Sequence, residues 1–171
     1  GLNSSTALSG VVSGTGGLIK SGTGQLTLSG ANTYVGQTAV AAGTLDVTGS
    51  IASTSVVVED SASLIADGAS LSDAAGVTLN GTGNLTVNSA TETIGSLSAA
   101  AGSTVVLNAG LTVGDAADTT VAGAISGIGA LTKAGAGTLL LSGANTYSGG
   151  TTVSAGTLRG STASLQGNIL N

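Results

Sequence analysis

The ionisable side chains of this chain are few, and their types limit the chemistry it can do. Eight carboxylates are present, Asp46, Glu59, Asp60, Asp67, Asp73, Glu92, Asp115 and Asp118, against three cations, Lys20, Lys133 and Arg159. His and Cys are both missing. Hydroxyl or thiol nucleophiles activated by imidazole, thiolate metal sites and disulfides are therefore excluded. Acid-only chemistry remains, of the kind that cleaves polysaccharides with paired carboxylates. Glu59-Asp60 and Asp115/Asp118 come nearest to a pair, but both sit in Ser/Gly/Ala segments where turn formation accounts for them. All eight acids are read as surface-turn residues, and no catalytic residue is expected. Gly14-Thr15-Gly16 and Gly22-Thr23-Gly24 lack the Lys-Ser/Thr ending of a phosphate loop. The Gly-Gly-x-Gly-x-Asp nonapeptide of a calcium-binding roll is absent too. No metal or cofactor is expected. Ice binding would need ranks of Thr-x-Thr on one face, and only Thr91-Glu92-Thr93 has that spacing.

The elements that would have to position such groups come from an unusual set of residues. Of 171 residues 30 are Gly, none is Pro, Met, Trp or Phe, and the only aromatics are Tyr34 and Tyr147. Charged residues make up 6%, where ordinary soluble domains carry about 25%. Aromatic side chains usually supply much of a globular core, so a conventional core is excluded. Collagen is excluded by the missing Pro and the lack of a strict Gly-X-Y period. Disorder usually goes with low hydropathy and high net charge, whereas mean hydropathy here is +0.49 and net charge is −5. What remains is a fibrous repeat or a β-solenoid. The pI of about 4.1 argues against nucleic acid or an anionic membrane surface as partner. No apolar run approaches the ~18 residues of a membrane-spanning helix. The start, Gly1-Leu2-Asn3-Ser4-Ser5, has no signal-peptide layout.

An internal repeat dominates the chain. Residues 12–45 and 125–158 align without gaps, with about two-thirds identity, as expected of stacked units that bury their faces on each other. Within each copy the period is two. From Gly16 the even positions run through Leu18, Lys20, Leu26, Leu28, Asn32, Tyr34 and Val40; Leu131, Lys133, Leu139, Leu141, Asn145, Tyr147 and Val153 hold the same places in the second copy. Such alternation puts one set of side chains inward on an extended strand. A helix is excluded, since Gly at this density costs about 1 kcal/mol per site. The parity then shifts at Gly43, after which Leu45 is apolar, and at Gly156, followed by Leu158. A one-residue shift exchanges the two faces, so a corner with φ > 0 is expected at each of these glycines. Short apolar pairs continue through the middle, among them Val56/Val58, Val77/Leu79, Leu85/Val87, Val105/Leu107 and Leu111/Val113.

The expected fold is thus all-β, a parallel β-solenoid with a thin aliphatic interior. Hairpins at Asn-Gly are the competing arrangement, but hairpins with so few large residues would leave one face exposed. About 20 residues per coil gives roughly eight coils and a rod about 40 Å long. One solenoid segment is expected over 1–171, with repeat copies at 12–47 and 125–160 and a degenerate region, 48–124, between them. Lys20 and Lys133 fall on the inward parity. A charge buried alone is costly, so they are expected at corners with the ammonium groups snorkelling outward. Asn32 and Asn145 are expected to close turns through their amides. Tyr34 and Tyr147 are expected to stack at a corner.

These residues resemble the autotransporter-associated β-strand repeat, also called the passenger-associated transport repeat. The resemblance is carried by residues 127–139 (GIGALTKAGAGTL), by Leu141-Ser142-Gly143-Ala144-Asn145-Thr146-Tyr147, by Gly149-Gly150-Thr151-Thr152-Val153 and by Ala155-Gly156-Thr157-Leu158. The first copy matches over 14–45, with Gln25 where the family usually has Thr. Together the copies cover somewhat under half the chain. The resemblance implies a right-handed parallel β-helix, secreted through an outer-membrane barrel and displayed on a Gram-negative cell. It implies a fragment of a longer array that acts as a stalk or spacer, helping secretion by folding outside and presenting a surface module. The alternative is a self-associating adhesin segment. The partners implied are neighbouring coils of the same parent chain, a second copy, or a host or glycan surface, with no membrane span in the segment itself.

Overall fold

Alternation of inward aliphatic and outward polar side chains produces strands of two to four residues, and each strand passes through a corner to the next face rather than doubling back on its neighbour. The computed structural model describes residues 3–114 and 116–171. These residues form twenty-two strands and no helix. Every strand pairing is parallel, and its partner lies in the next turn of the chain.

The strands make three faces. An eight-stranded face holds Leu18–Lys20, Thr38–Val40, Ser55–Val58, Gly76–Leu79, Ser96–Ala99, Thr119–Val121, Thr138–Leu141 and Thr157–Arg159. A seven-stranded face holds Thr6–Leu8, Gln25–Leu28, Thr44–Val47, Ser63–Ala66, Asn84–Val87, Thr104–Leu107 and Ala124–Gly127. The third face is split: Ala31–Asn32 and Ser50–Ile51 form its lower part, while Glu92–Ile94, Leu111–Val113, Leu131–Lys133, Thr151–Val153 and Ile169–Leu170 form its upper part. The chain visits the faces in the order eight-stranded, seven-stranded, third. One strand per turn on the eight-stranded face gives about eight turns, so the expected β-solenoid is the fold.

Register stacks like on like. Leu26 pairs with Leu45, Leu45 with Leu64, Leu64 with Leu85, Leu85 with Val105 and Val105 with Ile125. All six side chains are buried. Each removes enough apolar surface to contribute roughly 1.5–3 kcal/mol, and such columns form the aliphatic part of the interior. Competing hairpin pairings are absent among the described residues, because side chains that alternate along each strand meet identical neighbours above and below only in a parallel stack.

Candidate functional site

The repeated features of the two copies converge at the corners, where the ladder of backbone hydrogen bonds is interrupted. Strand Leu18–Lys20 ends with the Lys20 side chain pointing inward, 2% exposed. Its Nζ donates to the carbonyl oxygens of Gly22 (2.7 Å), Ala42 (2.9 Å) and, more weakly, Ser21 (3.4 Å). Lys133 is equally buried and donates to the carbonyl of Gly135. The expectation that these ammonium groups snorkel outward is therefore corrected. An ammonium group has three donors, and at Lys20 turn carbonyls accept from them. Burial lowers the Lys20 pKa below the ordinary lysine value. The parity-shifting glycines close over these cations. Gly43 has φ +68° and Gly156 φ +71°, and a Cβ at either would collide with the carbonyl oxygens of Gly22 or Gly135 one coil below.

Asn32 and Asn145 tie three coils together rather than closing only their own turns. Asn32 Oδ1 accepts the Val12 N–H (2.9 Å) from the coil below, while Nδ2 donates to Gly30 O (2.8 Å) in its own turn and Ser50 O (3.0 Å) above. Asn145 Oδ1 accepts the Ile125 N–H (2.8 Å), and Nδ2 donates to Ser164 O (2.6 Å). Both side chains are buried, and each stands in for a peptide group in the ladder. Tyr34 and Tyr147 are buried as well, their hydroxyls within 2.8 and 2.6 Å of Thr38 Oγ1 and Thr151 Oγ1. Burial raises the Tyr34 pKa. Neither ring offers a surface on which a ligand can stack. Leu26, Leu28, Val40, Leu45, Leu131, Leu139 and Leu141 line the interior, and Leu18, Val153 and Leu158 are half-buried.

The two copies have the same internal pairing but occupy different faces. Leu18 pairs with Thr38 on the eight-stranded face, whereas Leu131 pairs with Thr151 on the third face. Gln25 pairs with Thr44 on the seven-stranded face, whereas Thr138 pairs with Thr157 on the eight-stranded face. The second copy is thus turned by one face, and the brace works at either corner. The Gln25 departure has a local reason: its Nε2 donates to Asp46 Oδ2 (2.9 Å) on the next coil. In the second copy the places of this pair are held by Thr138 and Arg159.

Six carboxylates serve as links between coils, while Asp73 is exposed in a turn. Asp60 Oδ1 accepts the Thr82 N–H and hydroxyl (both 2.8 Å), Asp118 Oδ1 accepts the Thr138 N–H (2.6 Å), Asp67 Oδ1 accepts from Ser89, and Glu59 Oε2 accepts from Asn80 Nδ2 (2.9 Å). The Thr82 hydrogen bonds hold the Asp60 carboxyl below its usual range. Asp115 lies outside the described residues. Two acids depart from the surface-turn reading. Asp46 lies on strand Thr44–Val47; burial and the nearby Asp67 carboxylate raise its pKa, and its Oδ1 has no hydrogen-bond partner. Glu92 is 1% exposed. Its Oε2 accepts from Ser70 N (2.8 Å), Ser70 Oγ (3.1 Å) and Leu71 N (3.3 Å), bridging the gap between the two parts of the third face. Burial pushes the Glu92 pKa up against the opposing pull of those bonds. A usable signal was present: Glu92 shares the inward parity of Ile94. Among the described residues no three acids gather where they could hold a metal ion, and no helix is long and apolar enough to cross a membrane.

Parallel faces, an aliphatic column and side-chain braces repeated at two corners define a β-solenoid repeat protein. The Passenger-associated-transport-repeat family model matches twice, over residues 18–47 and 131–159, so these two segments are similar to that repeat. The family suggests a secreted or cell-surface protein of Gram-negative bacteria, with the repeats in a structural role. No curated protein and no solved structure matches the chain.

Proposed function

We propose that this segment is a rigid stalk of an autotransporter passenger, which folds outside the cell, helps draw the chain across the outer membrane and holds a further module away from the surface. The supporting observation is the recurrence of the corner residues, Lys20–Gly43–Asn32 and Lys133–Gly156–Asn145, on different faces of the same stack, with the buried Lys bonded to a turn carbonyl and the buried Asn bonded to the coils on either side in both copies. Each brace binds a coil to the one before it through buried side chains, so a newly exposed coil adds onto a ready template, as in other stacked repeats. No catalytic role is proposed, because six of the carboxylates, Asp46, Glu59, Asp60, Asp67, Glu92 and Asp118, are engaged in linking coils. The test is surface display of an N-terminal epitope in the parent protein with residues 131–159 either intact or scrambled. Scrambling is expected to reduce display sharply; display equal to that of the intact protein would sink the stalk reading.

A second reading, a self-associating adhesin segment, is favoured by one observation. The outward side chains Ile19, Ala39 and Val57 stack in register on the eight-stranded face, and Ile19 is 73% exposed. If this rank mediates contact, Ile19→Lys lowers cell clumping while display stays intact. Unchanged clumping counts against it.

A further inference from the structure

The structure assigns Asn80-Gly81 as a site of spontaneous backbone modification: deamidation of Asn80 through a succinimide, at the corner between the eight-stranded and seven-stranded faces. The inference does not rest on the stalk reading. Asn80-Gly81 is the only Asn-Gly pair in the chain, and both residues are exposed. They open a tight turn closed by Gly83 N–H donating to Asn80 O (2.8 Å). The Gly81 N–H, the nucleophile such a reaction needs, has no hydrogen-bond partner, while the amides on either side are engaged: Asn80 N–H by Val58 O (2.9 Å) and Thr82 N–H by Asp60 Oδ1 (2.8 Å). Gly81 is also held as glycine by its surroundings. Its φ is +53°, and an added Cβ would collide with the Asp60 carboxyl group. The residue that leaves the amide nitrogen sterically open is therefore the one this corner requires.

The step balances with water as the sole co-reactant. The Gly81 nitrogen gives up its proton and bonds to Asn80 Cγ; the Cγ–Nδ2 bond breaks and the side-chain nitrogen leaves as ammonia. Water then opens the five-membered ring. Cleavage at Cγ yields aspartate, and cleavage at the backbone carbonyl yields isoaspartate, which routes the main chain through Cβ. Either product removes the Asn80 Nδ2 donor now 2.9 Å from Glu59 Oε2 and sets two carboxylates against each other. The change is one-way and loosens the tie between strands Ser55–Val58 and Gly76–Leu79 at this corner.

Peptide mass spectrometry after incubation of the folded chain in mildly alkaline, oxygen-18-labelled water tests the proposal, with Asn84, Asn88 and Asn108 as internal references. Asn80 is expected to convert at least about tenfold faster than any of them, a barrier difference of one decade, with one labelled oxygen and both aspartate and isoaspartate products. Conversion at the rate of the reference residues overturns the proposal. So does conversion of Asn80 that occurs only when the same incubation is repeated in denaturant.

Discussion

The repeat copies and the region between them tie their coils together in opposite ways. In the copies the corner is braced from inside, by Lys20 and Lys133 buried among carbonyls and by Asn32 and Asn145 spanning coils. In the middle, Asp60, Asp67 and Glu59 reach from the outside of one coil to the next, and the buried exception, Glu92, is an anion without a cation. Inside braces work in a dry environment where each hydrogen bond counts for more. Outside braces remain in contact with water, which competes with them and screens their charge. The difference teaches that two ways of closing a corner can alternate within one column without changing its register.

Reversing the charge of an inside brace is the strongest way to break this comparison. Lys20→Glu places a carboxylate against the carbonyls of Gly22 and Ala42. It is expected to destabilise by several kcal/mol, seen as early melting in circular dichroism and fast amide exchange in the first coils. Lys20→Met leaves the same carbonyls unpaired and is expected to cost about 1–3 kcal/mol. Asn32→Ala or Asn145→Ala orphans the half-buried N–H of Val12 or the buried N–H of Ile125, together with a carbonyl of the coil above. Each is expected to cost about 2 kcal/mol in chemical denaturation.

A smaller effect separates the two middle-region acids by the sign of their pH dependence. The folded-state pKa of Glu92 is raised, so the native state holds that proton more tightly than the unfolded chain. Its contribution to stability therefore increases as pH falls through the raised pKa, and levels off below the ordinary glutamate value. Asp60 is held low, so its contribution is present above the ordinary aspartate value and is lost as pH falls through its lowered one. Melting temperature followed against pH checks both: Glu92→Gln is expected to remove the rise on acidification and Asp60→Asn part of the loss. The smallest expected change is Thr82→Val, which removes one exposed hydroxyl from Asp60 and should leave the melting curve nearly unmoved.

Much of the fold could be read from alternation alone, because side-chain parity is a local property of a strand. Leu26, Leu28 and Val40 on one parity, then Leu45 after Gly43, are buried as alternation predicts. What could not be read depends on register between coils. The carbonyls around Lys20 come from Gly22 and from Ala42 one turn later, so no local rule shows that the charge is solvated from inside. The face turned by the second copy was hidden because corners vary in length: a single residue, Gly95, separates Ile94 from Ser96, while Asn80–Gly83 separates Leu79 from Asn84. Likewise Thr93, Thr112, Thr132 and Thr152 align outward across four coils, a rank that a search for Thr-x-Thr along single strands misses. Glu92 was legible from its parity and was misplaced by judging it on residue type.

Cross-strand proton contacts in a nuclear Overhauser spectrum of the labelled chain test the in-register parallel stack most directly. Contacts should link Leu26 with Leu45, Leu45 with Leu64 and Leu64 with Leu85, each to the next turn and all in the parallel pattern. Antiparallel contacts between strands adjacent in sequence, such as Gly76–Leu79 with Asn84–Val87, would contradict the account.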